Sequence, residues 1–180
     1  MLIRQEQEME QRVLPFLIRQ MWAQYSWMSE QQLRLSAEYK IKTMPQRFPQ
    51  YGVMLGGYLQ DKLIATASIE PYVSPSGRAI KPAYLGNIFI DAAHQRQGRG
   101  TAIIKELERV ASQGLEAHIL IAETLTDNTA AIGFLQSQGF HVSDGTRLSS
   151  SRSGLELVSL CKGLVAEGET DAALQQKHQA

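Results

Sequence analysis

The chain has 180 residues, 43% of them hydrophobic and 20% charged, and its 18 Lys and Arg residues balance 18 Asp and Glu. That length and composition suit one globular core rather than a disordered chain, while zero net charge without a Lys/Arg block argues against a nucleic-acid backbone as partner. No apolar run approaches the ~18 residues of a membrane span. The start, MLIRQEQEMEQ, is too polar and acidic for a signal peptide, and the lone Cys161 rules out an intrachain disulfide, so a cytoplasmic protein is expected.

Residues 2–4 suit a short strand, and residues 8–25 a helix with Met9, Val13, Phe16, Leu17 and Met21 on one side and Pro15 disturbing its start. Ser29 opens a second helix as N-cap, with Gln32 completing a capping box, and Pro45 and Pro49 mark the loop after it. Two strands, 51–59 and 63–73, flank the turn Gln60-Asp61-Lys62, and Pro75-Ser76-Gly77 leads to another apolar strand ending at Ile90.

After Asp91 come Gln95-Arg96-Gln97-Gly98-Arg99-Gly100 and then a helix whose Ile103, Ile104, Leu107, Val110 and Ala111 recur every three or four residues; Gly114 is expected as its left-handed cap. A strand at 117–122, a helix at 129–137 and strands at 140–143 and 155–162 complete a domain of residues 1–162. The polar segment 163–180 is expected to fray.

The strand, Gly-rich turn and helix from Tyr84 to Ile104 read as an anion cradle. Gly98 and Gly100 carry no Cβ, so backbone N–H groups at the helix start are free to close on a phosphate, and the helix dipole favours negative charge there. A P-loop is excluded because no Gly, four residues, Gly-Lys-Ser/Thr string exists. A dinucleotide fingerprint is excluded because Thr101, Ala102 and Ile103 follow where a third small residue belongs. Gln95, Gly98 and Gly100 instead resemble the Gln/Arg-x-x-Gly-x-Gly/Ala motif of the GCN5-related N-acetyltransferases. Asn128-Thr129-Ala130-Ala131-Ile132-Gly133-Phe134-Leu135-Gln136-Ser137-Gln138-Gly139-Phe140 is similar to that family's second signature at every position but one. Leu135 stands where many members carry a tyrosine assigned as general acid.

The resemblance implies an α/β (α+β) fold: a mixed, mostly antiparallel sheet of about seven strands, helices on both faces, and a central parallel pair splayed to hold CoA. It implies an acetyl-CoA-dependent N-acetyltransferase needing no metal, monomeric or homodimeric, and acting on an amine-bearing small molecule, amino acid or peptide. A CoA-binding regulatory protein without activity is the alternative. Backbone of Ile88, Phe89 and Ile90 would hold pantetheine, with the Ile88 N–H as oxyanion donor, and backbone from Gln95 through Arg96, Gln97, Gly98, Arg99 and Gly100 to Thr101 would take the pyrophosphate. Asn128, Ala131 and Phe134 would complete the cofactor side.

For the general base the resemblance points to Glu123, as in the ribosomal-protein N-terminal-alanine acetyltransferases, which also show a pair like Asn87-Ile88. Tyr84 and Glu70 are further candidates. His94, His118 and His141 read as structural or solvated residues, and Cys161 as core. Trp22, Tyr25, Trp27, Met28 and the loop 149–153 are expected near the acceptor, the aromatics more as packing than as contacts.

Overall fold

The computed structural model describes residues 1–25, 28–47, 52–71, 81–149 and 156–164. Its elements run β1 (Leu2–Gln5), α1 (Leu14–Gln24), α2 (Glu30–Arg47), β2 (Val53–Leu59), β3 (Lys62–Pro71), β4 (Pro82–Ile90), α3 (Arg99–Gly114), β5 (Ile119–Leu125), α4 (Thr129–Ser137), β6 (His141–Ser149) and β7 (Glu156–Gly163). The strands form one seven-stranded sheet in the order β1-β2-β3-β4-β5-β7-β6. The pairs β1–β2, β2–β3, β5–β7 and β6–β7 are antiparallel, and the pair β4 and β5, linked through α3, is the parallel one. By contact density the chain forms two compact units, Met1–Pro71 with Leu85–Leu107, and Tyr72–Tyr84 with Glu108–Ala180.

In the first unit, Val13, Leu17 and Met21 pack with Leu33, Ala37 and Ile41 of α2 and Met54 of β2. Each fully buried Leu or Ile there stabilises the fold by roughly 1.5–3 kcal/mol before entropy is charged. The capping box of α2 forms as expected: the Ser29 N–H donates to Gln32 Oε1 (2.9 Å) and the Gln32 N–H to Ser29 Oγ (3.2 Å). The first helix departs from expectation. Residues Met9–Val13 form a π turn, in which the Leu14 N–H reaches Met9 O, and α1 starts only with Pro15 in its first turn. Pro15 has no N–H to return to the carbonyl four residues back, so the chain widens there before regular helix begins.

Helix α2 runs through Pro45 to Arg47 where a loop was expected, because a proline in the last turn removes a single bond of the ladder. Gly114 stays helical, and Glu116 (φ +49°) takes the left-handed position, its carboxylate tied to Lys81 Nζ (2.5 Å) while the Ala117 N–H closes on Ala111 O (2.9 Å). Trp22, expected as packing between helices, is 52% exposed. Trp27, Pro49, Pro75-Ser76-Gly77, most of the 149–153 loop and residues 165–180 lie outside the described residues.

One buried carboxylate supports the sheet edge. Burial alone would push the Glu6 carboxyl up, but the Tyr58 hydroxyl and the N–H groups of Glu8 and Gln7, with Arg4 nearby, hold it below the usual carboxylate range. A folded-state pKa below the unfolded one gives stability that is complete above about pH 4.3 and is lost as pH falls through the lowered value. Glu6→Gln is therefore expected to cost about 1–3 kcal/mol at neutral pH. Denaturant titrations from pH 7 to pH 2 check this, the gap from the native chain narrowing at the acid end.

In the second unit, Leu120 of β5 and Leu160 of β7 are buried, as are Ala111, Ala117, Leu135 and Phe140. Lys162 Nζ joins Glu108 Oε1 (2.6 Å) and Gln138 O (2.7 Å), which fixes β7 to the middle of α3 and the end of α4.

Candidate active site

Asp91 ends β4. Its N–H goes back to Ile64 O (2.8 Å), and its carboxylate accepts from the Ala93 N–H (3.1 Å) to cap a short 3-10 turn, Ala92–His94. Gln95 Nε2 then donates to Ile90 O (2.9 Å) and Gln97 Nε2 to Ala93 O (3.2 Å), so both glutamines shape the loop with their side chains. Arg96 (φ +58°) and Gly98 (φ +73°) are left-handed. Such a loop turns successive N–H groups toward one concave side, an anion nest. Among the described residues the N–H groups of Arg96, Gln97 and Gly98 have no protein acceptor, and those of Arg99, Gly100 and Thr101 open α3 with no preceding turn to bond to.

Two more observations fit a pyrophosphate. A Cβ built on Gly98 meets nothing within 4 Å, so the space beside it is free of protein. Arg99 Nη1 is buried with no acceptor among the described residues, a donor that a phosphate oxygen would satisfy. Ile88, Phe89 and Ile90, at the end of β4, are half-buried.

In the second unit Glu123 and Tyr84 are brought together: the Tyr84 hydroxyl donates to Glu123 Oε2 (3.4 Å), and the Ser159 hydroxyl to Oε1 (3.2 Å). Ser159 is a site residue that the sequence alone does not reveal. It faces Glu123 because the two residues are register partners on β5 and β7. Asn128 caps α4, its Oδ1 accepting from the Ala131 N–H (3.2 Å) and its Nδ2 donating to Thr124 Oγ1 (3.2 Å). Ala131 and Phe134 are half-buried on that helix, and Gly139 (φ +85°) ends it.

Leu135 is 5% exposed and is part of the packing of α4. Leu135→Tyr is expected to overpack it and lose about 1–3 kcal/mol, measurable by urea unfolding. His118 Nδ1 accepts from the Lys81 N–H (3.3 Å), a structural role, and burial pushes the half-buried Cys161 thiol up, which leaves it a poor nucleophile.

Glu70, the remaining candidate base, ends β3 beside Lys40. Burial pushes the Lys40 ammonium pKa down against the pull of the Glu70 carboxylate. Lys40 carries no signal in the sequence; it lies three residues after Ala37 and one before Ile41, on the buried side of α2.

The family model of the acetyltransferase (GNAT) family matches residues 14–140. The chain belongs to that family. A comparison with curated protein sequences finds no match. Among solved structures, a ribosomal-protein-alanine N-acetyltransferase from Brucella melitensis superposes with a TM-score of 0.67 at 20% identity, covering 91% of this chain and 100% of that one. An acetyltransferase of the GNAT family from Streptococcus pneumoniae gives 0.63 at 15% identity, over 91% and 99% of the two chains. An aminoglycoside 6'-N-acetyltransferase complexed with coenzyme A gives 0.66 at 13% identity, over 94% and 100%. At these identities the likeness is one of fold.

Proposed function

We propose that this protein transfers the acetyl group of acetyl-CoA to a primary amine by direct attack in a ternary complex. The observation that carries the reading is the β4–α3 loop, in which left-handed Arg96 and Gly98 leave a run of N–H groups without acceptors among the described residues at a helix start. Family membership supports reading that anion as the pyrophosphate of acetyl-CoA, and the relative complexed with coenzyme A is in keeping with it.

In this reading Gln95 to Thr101 bind the pyrophosphate, with Arg99 adding charge, and the backbone of Ile88, Phe89 and Ile90 aligns pantetheine. Asn128, Ala131 and Phe134 are the cofactor's remaining contacts. Bound acetyl-CoA supplies an activated carbonyl carbon and a thiol leaving group. The Ile88 N–H donates to the carbonyl oxygen as negative charge develops on it, and Glu123 takes the proton released when the amine nitrogen bonds to that carbon. The C–S bond then breaks. A thiol with a pKa near 8.5 leaves adequately as thiolate near neutral pH, so Leu135 in place of an acid limits rate rather than reaction type.

Tyr84 and Ser159 hold the Glu123 carboxylate in one orientation through both oxygens. The acceptor is a small amine, an amino acid or a peptide N-terminus. Relatives named for a ribosomal-protein alanine and for an aminoglycoside show that one fold serves both kinds. Initial rates with both substrates varied test the order: intersecting double-reciprocal lines are expected, and parallel lines would overturn direct attack.

A further inference from the structure

Asn87 sits in the middle of β4 with φ +52°, a left-handed conformation that an ordinary strand does not contain. Asn tolerates it better than most residues, yet it still costs free energy and persists only where the surroundings hold it. Two hydroxyls of β3 do so. The Thr66 hydroxyl donates to the Asn87 backbone carbonyl (3.0 Å), and Asn87 Nδ2 donates to Ser68 Oγ (3.0 Å). Thr66 and Ser68 lie two apart on the strand and share a face, and they are 0% and 5% exposed. Asn87 Oδ1 is buried without a partner among the described residues, a further cost at the same position. Strain, an orphaned acceptor and two dedicated buried hydroxyls at one residue mark a conformation kept for use rather than for stability.

The use follows from peptide geometry. The Asn87 carbonyl and the Ile88 N–H belong to one planar trans peptide and point in opposite directions. Whatever fixes the carbonyl therefore aims the N–H. A hydrogen bond to the carbonyl also polarises the peptide and strengthens its N–H as a donor.

We propose that Thr66 is the positioning residue of the oxyanion donor, aiming and polarising the Ile88 N–H through the Asn87 carbonyl, with Ser68 holding the same residue by its side chain. The proposal rests on the transferase reading, in which Ile88 is that donor. Thr66 touches neither cofactor nor amine.

The test is the carbonyl stretch of acetyl-CoA bound to the full chain without an amine, recorded by difference infrared spectroscopy in native protein, Thr66→Val and Thr66→Ser. Binding to native protein and to Thr66→Ser is expected to shift the stretch to lower frequency, and Thr66→Val to lose most of that shift while the CoA-induced rise in Tm stays at the native value. In turnover, Thr66→Val is expected to lower kcat about ten- to a hundredfold with KM for acetyl-CoA unchanged, and Thr66→Ser to restore it. Thr66→Ala, carried alongside should the valine variant not fold, has the same expected spectrum and rate as Thr66→Val. An undiminished infrared shift in Thr66→Val, or equal losses in Thr66→Val and Thr66→Ser, overturns the proposal. Native protein that shows the shift but acetylates no amine contradicts the transferase reading, while the infrared comparison still decides the role of Thr66.

Discussion

Glu123→Gln is expected to lower acetyl transfer by roughly a hundredfold or more while the stabilisation by CoA stays at the native level. The amide keeps the shape of the side chain and still accepts from the Tyr84 or Ser159 hydroxyl, so the fold is not disturbed. It loses the basicity needed to take a proton from the amine. Tyr84→Phe removes one of two hydrogen bonds to a carboxylate that remains, and is expected to cost far less. Steady-state rates beside thermal melts with CoA separate the two effects. Unchanged turnover in the glutamine variant would move the base to Glu70, Tyr84 or water, and Glu70→Gln would then be measured in the same way.

Gly98→Val is expected to abolish the CoA-induced rise in Tm. Valine is among the residues least able to adopt φ +73°, because both of its γ-carbons crowd the backbone there. To relieve that strain the loop must flip a peptide, which turns N–H groups of the nest away from the phosphate. A Cβ at this position meets no protein atom within 4 Å, so the variant's own packing is not the obstacle and its melt without ligand is expected to stay near native, lowered only by the local strain of about 1–3 kcal/mol. A full CoA-induced shift in Gly98→Val would mean that the anion binds elsewhere.

The stretch from β4 to α3 is legible in the sequence because three signals coincide there: a run of apolar residues, a Gly-rich turn and a 3.6-residue repeat. The segment Asn128 to Phe140 is legible for a similar reason, since a side-chain cap and a left-handed glycine bracket one short helix and both form in the fold.

Single residues with two permitted roles are less so. Gly114 and Gly139 look alike in sequence, yet only Gly139 turns left-handed; after α3 the left-handed position falls two residues past Gly114, at Glu116, where the Ala117 N–H closes on Ala111 O. Pro15 signals a disturbance, but the π turn it produces depends on which carbonyl finds another donor.

The polar groups that support the site are hidden altogether. Thr66 and Ser68 in an apolar strand, and Ser159 in another, carry no local pattern. Their meaning comes from partners 21, 19 and 36 residues away that only strand pairing brings within reach. Residues 26–27 and 150–155 lie outside the described residues, so the acceptor stays defined by chemistry, as an amine.

Thiol release from acetyl-CoA across a panel of amines, amino acids and short peptides tests the central claim most directly, with the acetylated acceptor identified by mass. Amine-dependent release well above the rate of acetyl-CoA hydrolysis, with acetyl on the acceptor nitrogen and loss of both in Glu123→Gln, is the predicted result. Saturable CoA binding with release that no amine accelerates would contradict it.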